Sequence, residues 1–180
     1  MREDPGWRPA IRVATQVLLL RRPEGSIIDV LRGSVIFLAT ASVVVAVVVV
    51  VLGAGADEPR IDETTARIGL FVGVGLAGVA IAWVDREALD VRSPGHFAVE
   101  AFTTTMRKVL SAAAVGPVGL VLSWASGDAS YVLFGTGASL LLMAVGGPTK
   151  RRVQAWRDEV EEADAGFDAL DAIGAPYRRA

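Results

Sequence analysis

Residues 34–56, SVIFLATASVVVAVVVVVLGAGA, constrain this chain more than any other stretch: 23 residues with neither a charge nor a proline. A helix of this length reaches about 34 Å, enough for a hydrocarbon core of roughly 30 Å. From 43 to 51 every residue but Ala46 is valine. In water so much β-branching favours a strand. In hydrocarbon a lone strand leaves its amides and carbonyls unpaired, and only a helix satisfies them within the segment. The stretch therefore reads as a transmembrane helix. Ala54-Gly55-Ala56 has the small residues of a signal cleavage site. The apolar run is nonetheless too long for a signal, and 33 residues precede it, so an uncleaved anchor is expected.

Three further uncharged runs follow the same logic, at 68–84, 109–124 and 129–147. The expected fold class is an all-α, polytopic membrane protein, with four transmembrane helices in two hairpins and cytoplasmic amphipathic helices beside them. The division is a cytoplasmic N-terminal tail and amphipathic helix (1–33), a four-span membrane domain (34–147) with a cytoplasmic connection at 85–108, and an amphipathic helix and tail (148–180). Lysine and arginine set the orientation. Sixteen lie in the segments before span one, between spans two and three and after span four, against two in the other connections. Both termini are therefore expected on the cytoplasmic side. Arginine outnumbers lysine sixteen to two in an Ala/Val/Gly-rich chain. That bias fits a GC-rich bacterial genome, and hence a bacterial inner membrane.

Between the spans, local signals give helix starts. Residues 1–8, with Pro5 and Gly6, read as a disordered tail. Residues 9–20 read as a short helix whose apolar members (Ile11, Val13, Val17, Leu18, Leu20) are flanked by Arg8, Arg12, Arg21 and Arg22. Such a helix either lies in the lipid headgroup layer or packs on the protein's own cytoplasmic face. Ser26 and Asp29 resemble a capping box, which starts the first long helix at Ile27. Ser93-Pro94 is a second start signal. Thr149 is a third, opening a helix with Val153, Trp156 and Val160 on one face and an Arg157–Glu161 pair on the other. Phe167, Leu170 and Ile173 then recur at helical spacing, as a docked helix or as a motif for a partner. Trp124 and Tyr131 are expected at one membrane interface and Trp83 at the other.

Small residues mark the expected contact faces. Gly69, Gly73 and Ala77 recur at four-residue spacing, and Gly116 and Gly119 lie in the third span. Faces of this kind let helix backbones approach closely in lipid, with another span of the chain or with a second copy. Pro117 lacks an amide and is expected to kink the third span as a hinge. Arg107, Lys108, Lys150, Arg151 and Arg152 sit where they either enforce topology or meet anionic headgroups.

Reactive chemistry is sparse. The chain has no cysteine and one histidine, which removes thiol catalysis, cysteine zinc sites and multi-histidine centres; no metal or cofactor is expected. No span carries an ionisable residue, so a proton relay has no carriers. Hydroxyls such as Thr40, Ser42, Ser111, Thr136 and Ser139 are expected to bond to carbonyls one turn back. GVGLAG at 73–78 matches a dinucleotide fingerprint by letter, but it lies inside a span with no preceding strand. A net charge of −2 and the lack of a basic stripe speak against nucleic acid. His96 and Glu100, one turn apart, are the sole catalytic nominees, but the expectation is that His96 serves the helix start or faces solvent. The expected function is a non-enzymatic accessory or scaffold subunit, whose partners are the bilayer and either further copies of itself or another membrane protein. A small oligomeric transporter or pore is the alternative, and a lipid enzyme at the membrane face is a third.

Overall fold

A computed structural model describes residues 4, 6–19, 24–53 and 59–176. Among them are eight helices and no strand: α1 (Arg8–Leu18), α2 (Ile27–Leu52), α3 (Glu63–Val84), α4 (Pro94–Ala113), α5 (Val115–Ser126), α6 (Ser130–Gly146), α7 (Lys150–Glu162) and α8 (Ala169–Ile173). Four helical stretches are long and apolar enough to cross a membrane: Ile27–Leu52, Glu63–Val84, Pro94–Ser126 and Ser130–Glu162.

The start signals explain where these helices begin. At α2 the capping box is reciprocal. Asp29 N donates to Ser26 Oγ (3.3 Å), and the Asp29 carboxylate accepts from Ser26 N (3.2 Å) and Oγ (2.6 Å). Thr149 Oγ1 accepts from Arg152 N at the start of α7. Helix α3 starts at Glu63, earlier than the uncharged run, because Asp62 caps it by accepting from Thr65 N at 2.7 Å. The other end of α2 also differs from expectation. Gly53 adopts a left-handed φ of +61° and closes the helix at Leu52, while residues 54–58 lie outside the described set. Third, the long Pro94–Ser126 stretch is interrupted at Ala114. Pro117 has no amide to give the Ala113 carbonyl, and it sits in the first turn of α5, where that loss costs least.

The chain divides into two compact units, residues 1–37, 85–107 and 147–180 forming one, and 38–84 and 108–146 the other. The first has its own apolar core, built from the starts of α2 and α4 together with α7 and α8. Trp156, Phe97, Ile28, Leu31, Val153 and Ile173 are each at most 3% exposed within it. The tail motif is therefore docked: Leu170 and Ile173 are buried, and the Phe167 ring lies 5.7 Å from that of Phe97. Ile27 N donates to Ala175 O at 3.2 Å, so the C-terminal segment is tied to the start of α2. Arg157 does not pair with Glu161 as expected but reaches Asp168 at 3.8 Å.

The second unit is a bundle of α3, α5 and α6, with the distal part of α2 and the end of α4. Only residues 127–129 join α5 to α6, with Gly127 left-handed (φ +72°), so the two run antiparallel. Tyr131 Oη donates to Glu63 O at 3.1 Å, and Arg60 lies over the Trp124 ring at 4.3 Å. Trp124 and Tyr131 thus share one end of the bundle. The valines of α2 are largely bare, with Val44, Val47 and Val51 exposed by 53, 53 and 76%.

Candidate functional site

Within the second unit, the small residues are used for close helix contact. A Cβ built at Gly119 would lie 2.5 Å from Tyr131 O and 2.9 Å from Gly135 Cα, so α5 and α6 meet backbone to backbone. Gly69 faces Leu122 and Gly73 faces Val118, each with a virtual Cβ contact of 3.1 Å, and Ala77 is 7% exposed. The neighbours of these glycines are helices of the same chain. Gly116 is buried, yet a Cβ there would meet nothing within 4 Å. Pro117 is exposed. Gly135 completes the α5–α6 contact and was not singled out in the sequence. Its spacing to Ser139, GTGAS, carries the same small-residue signal.

Two hydroxyls in this bundle depart from the expected back-bonding. Ser42 Oγ donates to Leu38 O at 2.9 Å, whereas Ser123 Oγ and Ser139 Oγ are fully buried and have no partner. A buried hydroxyl without a partner is destabilising, by about 1–3 kcal/mol. Replacing Ser139 with alanine is therefore expected to stabilise the bundle by about 1 kcal/mol, read as a raised unfolding midpoint in detergent micelles. A loss of that size would mean that the hydroxyl holds a bond in the membrane.

In the first unit, His96 and Glu100 line a cleft of 310 Å³ together with Glu87, Asp90, Thr103 and Arg107. Each charged group there has a local bond. His96 Nδ1 lies 2.9 Å from Ser93 Oγ, which also accepts from His96 N, so this histidine belongs to the start of α4. Glu100 accepts from Asp90 N. Arg107 Nη1 donates to Glu87 at 3.2 Å. Asp90 chelates Arg92, whose guanidinium holds the carboxyl far below the usual range, at about 2. A larger groove of 950 Å³ has Ile27, Ala98, Val99, Phe102 and Phe167 on its walls, with Asp168 and Asp171 as its carboxylates. Asp168 is engaged as the cap of α8, accepting from Leu170 N at 2.7 Å.

The basic residues named in the sequence are placed differently from one another. Lys150 and Arg151 are exposed, and Arg152 pairs with Asp85 at 3.3 Å. Lys108 is 2% exposed, with its Cβ 3.1 Å from where a Cβ at Gly146 would stand. The residue that sequence reasoning passed over is Arg32. It is fully buried, its guanidinium gripping Asp4 through both Nη atoms (2.6 and 2.8 Å) and donating to Gly6 O (2.6 Å) and Pro148 O (3.2 Å). The Trp7 ring covers it at 5.4 Å. Residues 4, 6 and 7, expected as part of a disordered tail, are thus bound. The available signal was an arginine two residues before a 23-residue uncharged run, where a buried charge demands a partner.

Among the described residues no cluster of three or more histidine, aspartate or glutamate side chains could hold a metal ion. Comparison of the chain with protein-family models, with curated proteins and with solved structures finds no match.

Proposed function

We propose that the chain is an accessory or scaffold subunit of a bacterial inner membrane, with four spans and both termini cytoplasmic. The observation that carries this reading is the separate apolar core of the first unit. It is assembled from all three segments that the charge distribution assigns to the cytoplasm, around Trp156, Phe97 and Ile173. A chain that only had to anchor itself would need no second folded body. The spans in turn use their small-residue faces on one another, which leaves the first unit and the bare flank of α2 as surfaces for partners.

A small oligomeric transporter or pore is the second reading, supported by the unpartnered hydroxyls of Ser123 and Ser139 inside the bundle. The two readings separate in one experiment. Membranes are extracted in mild detergent or nanodiscs, and native mass spectrometry is recorded for the wild type and for Trp156→Ala. A scaffold subunit comes out with a different membrane protein at fixed stoichiometry. The variant, its core emptied, remains in the membrane and loses that partner. A closed homo-oligomer that conducts a solute in liposomes, with flux unaffected by Trp156→Ala and abolished by Ser139→Ala, would overturn the scaffold reading in favour of the pore.

A further inference from the structure

Helix α1 has two unlike sides. Its inner side is small and buried: Ala10, Val13 and Ala14 are at most 8% exposed. That side rests on Gly33, where a Cβ would lie 2.8 Å from Val13 Cγ1 and 3.1 Å from Ala10 O. Gly33 immediately precedes the uncharged run of α2. A helix that touches α2 there lies at the level where the chain enters hydrocarbon.

Opposite the buried side stand Arg8, Arg12 and Thr15, all exposed, and the flank between the two sides carries large apolar groups. Ile11 and Leu18 are 58 and 64% exposed, and Arg8 and Arg12 are exposed beside them. At 3.6 residues per turn, Ile11 and Leu18 fall about 20° apart on the helix circumference, with Arg8 and Arg12 about 60° and 100° from Ile11. Neither arginine has a carboxylate partner among the described residues. Large apolar groups on one edge with free guanidinium groups on the next are what a helix lying in a membrane interface needs. Phosphate oxygens accept paired hydrogen bonds from guanidinium.

We propose that α1 is an interfacial lipid-binding helix, with Ile11 and Leu18 among the upper acyl carbons and Arg8 and Arg12 on the phosphates of anionic phospholipids. The proposal rests on α2 spanning the bilayer, and its test carries a control for that. The chain has no cysteine, so a single substitution places a spin label at one site. The full-length protein labelled through Ile11→Cys, Leu18→Cys or Val47→Cys is placed in nanodiscs of phosphatidylcholine alone and of phosphatidylcholine with phosphatidylglycerol. All three native side chains are exposed, so none of the changes empties a core.

The Val47 label should be reached by oxygen and shielded from a water-soluble nickel chelate in both lipids. Labels at Ile11 and Leu18 should lie about 5–10 Å below the phosphates, deeper in the anionic discs, and Arg8→Gln with Arg12→Gln should erase that difference. Water-exposed labels on α1 with a shielded Val47 would overturn the proposal and leave the spanning reading intact. Strong dipolar coupling between labels of neighbouring copies would assign the face to self-association and overturn it too. Equal depth in the two lipids would refute the role of the arginines. A water-exposed Val47 label would defeat both readings together.

Discussion

Replacing Arg32 with methionine is expected to destabilise the first unit by about 3 kcal/mol and to free the chain from Asp4 to α1. The side chain is 0% exposed, so its charge is tolerated only because Asp4 and two carbonyls surround it. Methionine fills the volume but leaves the carboxylate and the carbonyls of Gly6 and Pro148 without donors. The value sits at the low end for a broken buried pair because Asp4 keeps 17% exposure and can rehydrate. Lysine would not rescue the fold, since a single ammonium cannot reproduce a fork that reaches both carboxylate oxygens and two carbonyls. Hydrogen exchange on residues 6–18 reads the effect directly. Unchanged protection in the methionine variant would refute the clasp.

The same contact predicts a dependence on pH. The hydrogen bond from Arg32 lowers the Asp4 pKa below 3.8. A carboxyl whose folded pKa is depressed adds stability that is fully present above its unfolded value. That contribution fades as pH falls through the lower, folded one. Protection of residues 6–18 should therefore hold from neutrality to about pH 4 and decline only below it. In Asp4→Asn it should already be reduced at pH 7. A decline centred near pH 6 would point to a different group.

Changing Gly119 to leucine is expected to abolish the α5–α6 contact, at a cost above about 3 kcal/mol. The first atom of any side chain there would meet Tyr131 O at 2.5 Å and Gly135 Cα at 2.9 Å. Both are backbone, which cannot swing aside as a side chain does. The helices would have to move apart along their whole shared face, losing the dispersion contacts made across it. Alanine at Gly119 should already cost about 1–3 kcal/mol. Gly116→Ala is the matched control, since its Cβ would enter open space, and a helix gains up to about 1 kcal/mol from the exchange. Unfolding in mixed micelles with increasing dodecyl sulfate gives the three midpoints. Equal destabilisation at 116 and 119 would mean that the two glycines act through helix propensity and not through contact.

The sequence by itself determined the class of structure. Its four long uncharged runs have the length and composition of helices that could cross a hydrocarbon core, where backbone must pair within the segment, and they are helices whatever their valine content. Caps such as Ser26 with Asp29, Ser93 with Pro94, and Thr149 are set by bonds within four residues, and these were legible as written. The periodic burial of Val153, Trp156 and Val160 was legible too, because one helix face repeats every three or four residues. Only the tertiary structure decided what those faces meet. Gly116 and Gly119 look alike in sequence, and just one of them touches a neighbouring backbone, because contact depends on the rotation of α5 against α6. The Arg32 clasp joins residues 28 and 116 positions away, a pairing that no local pattern encodes. The two sides of α1 could be told apart only once Gly33 showed which one is covered.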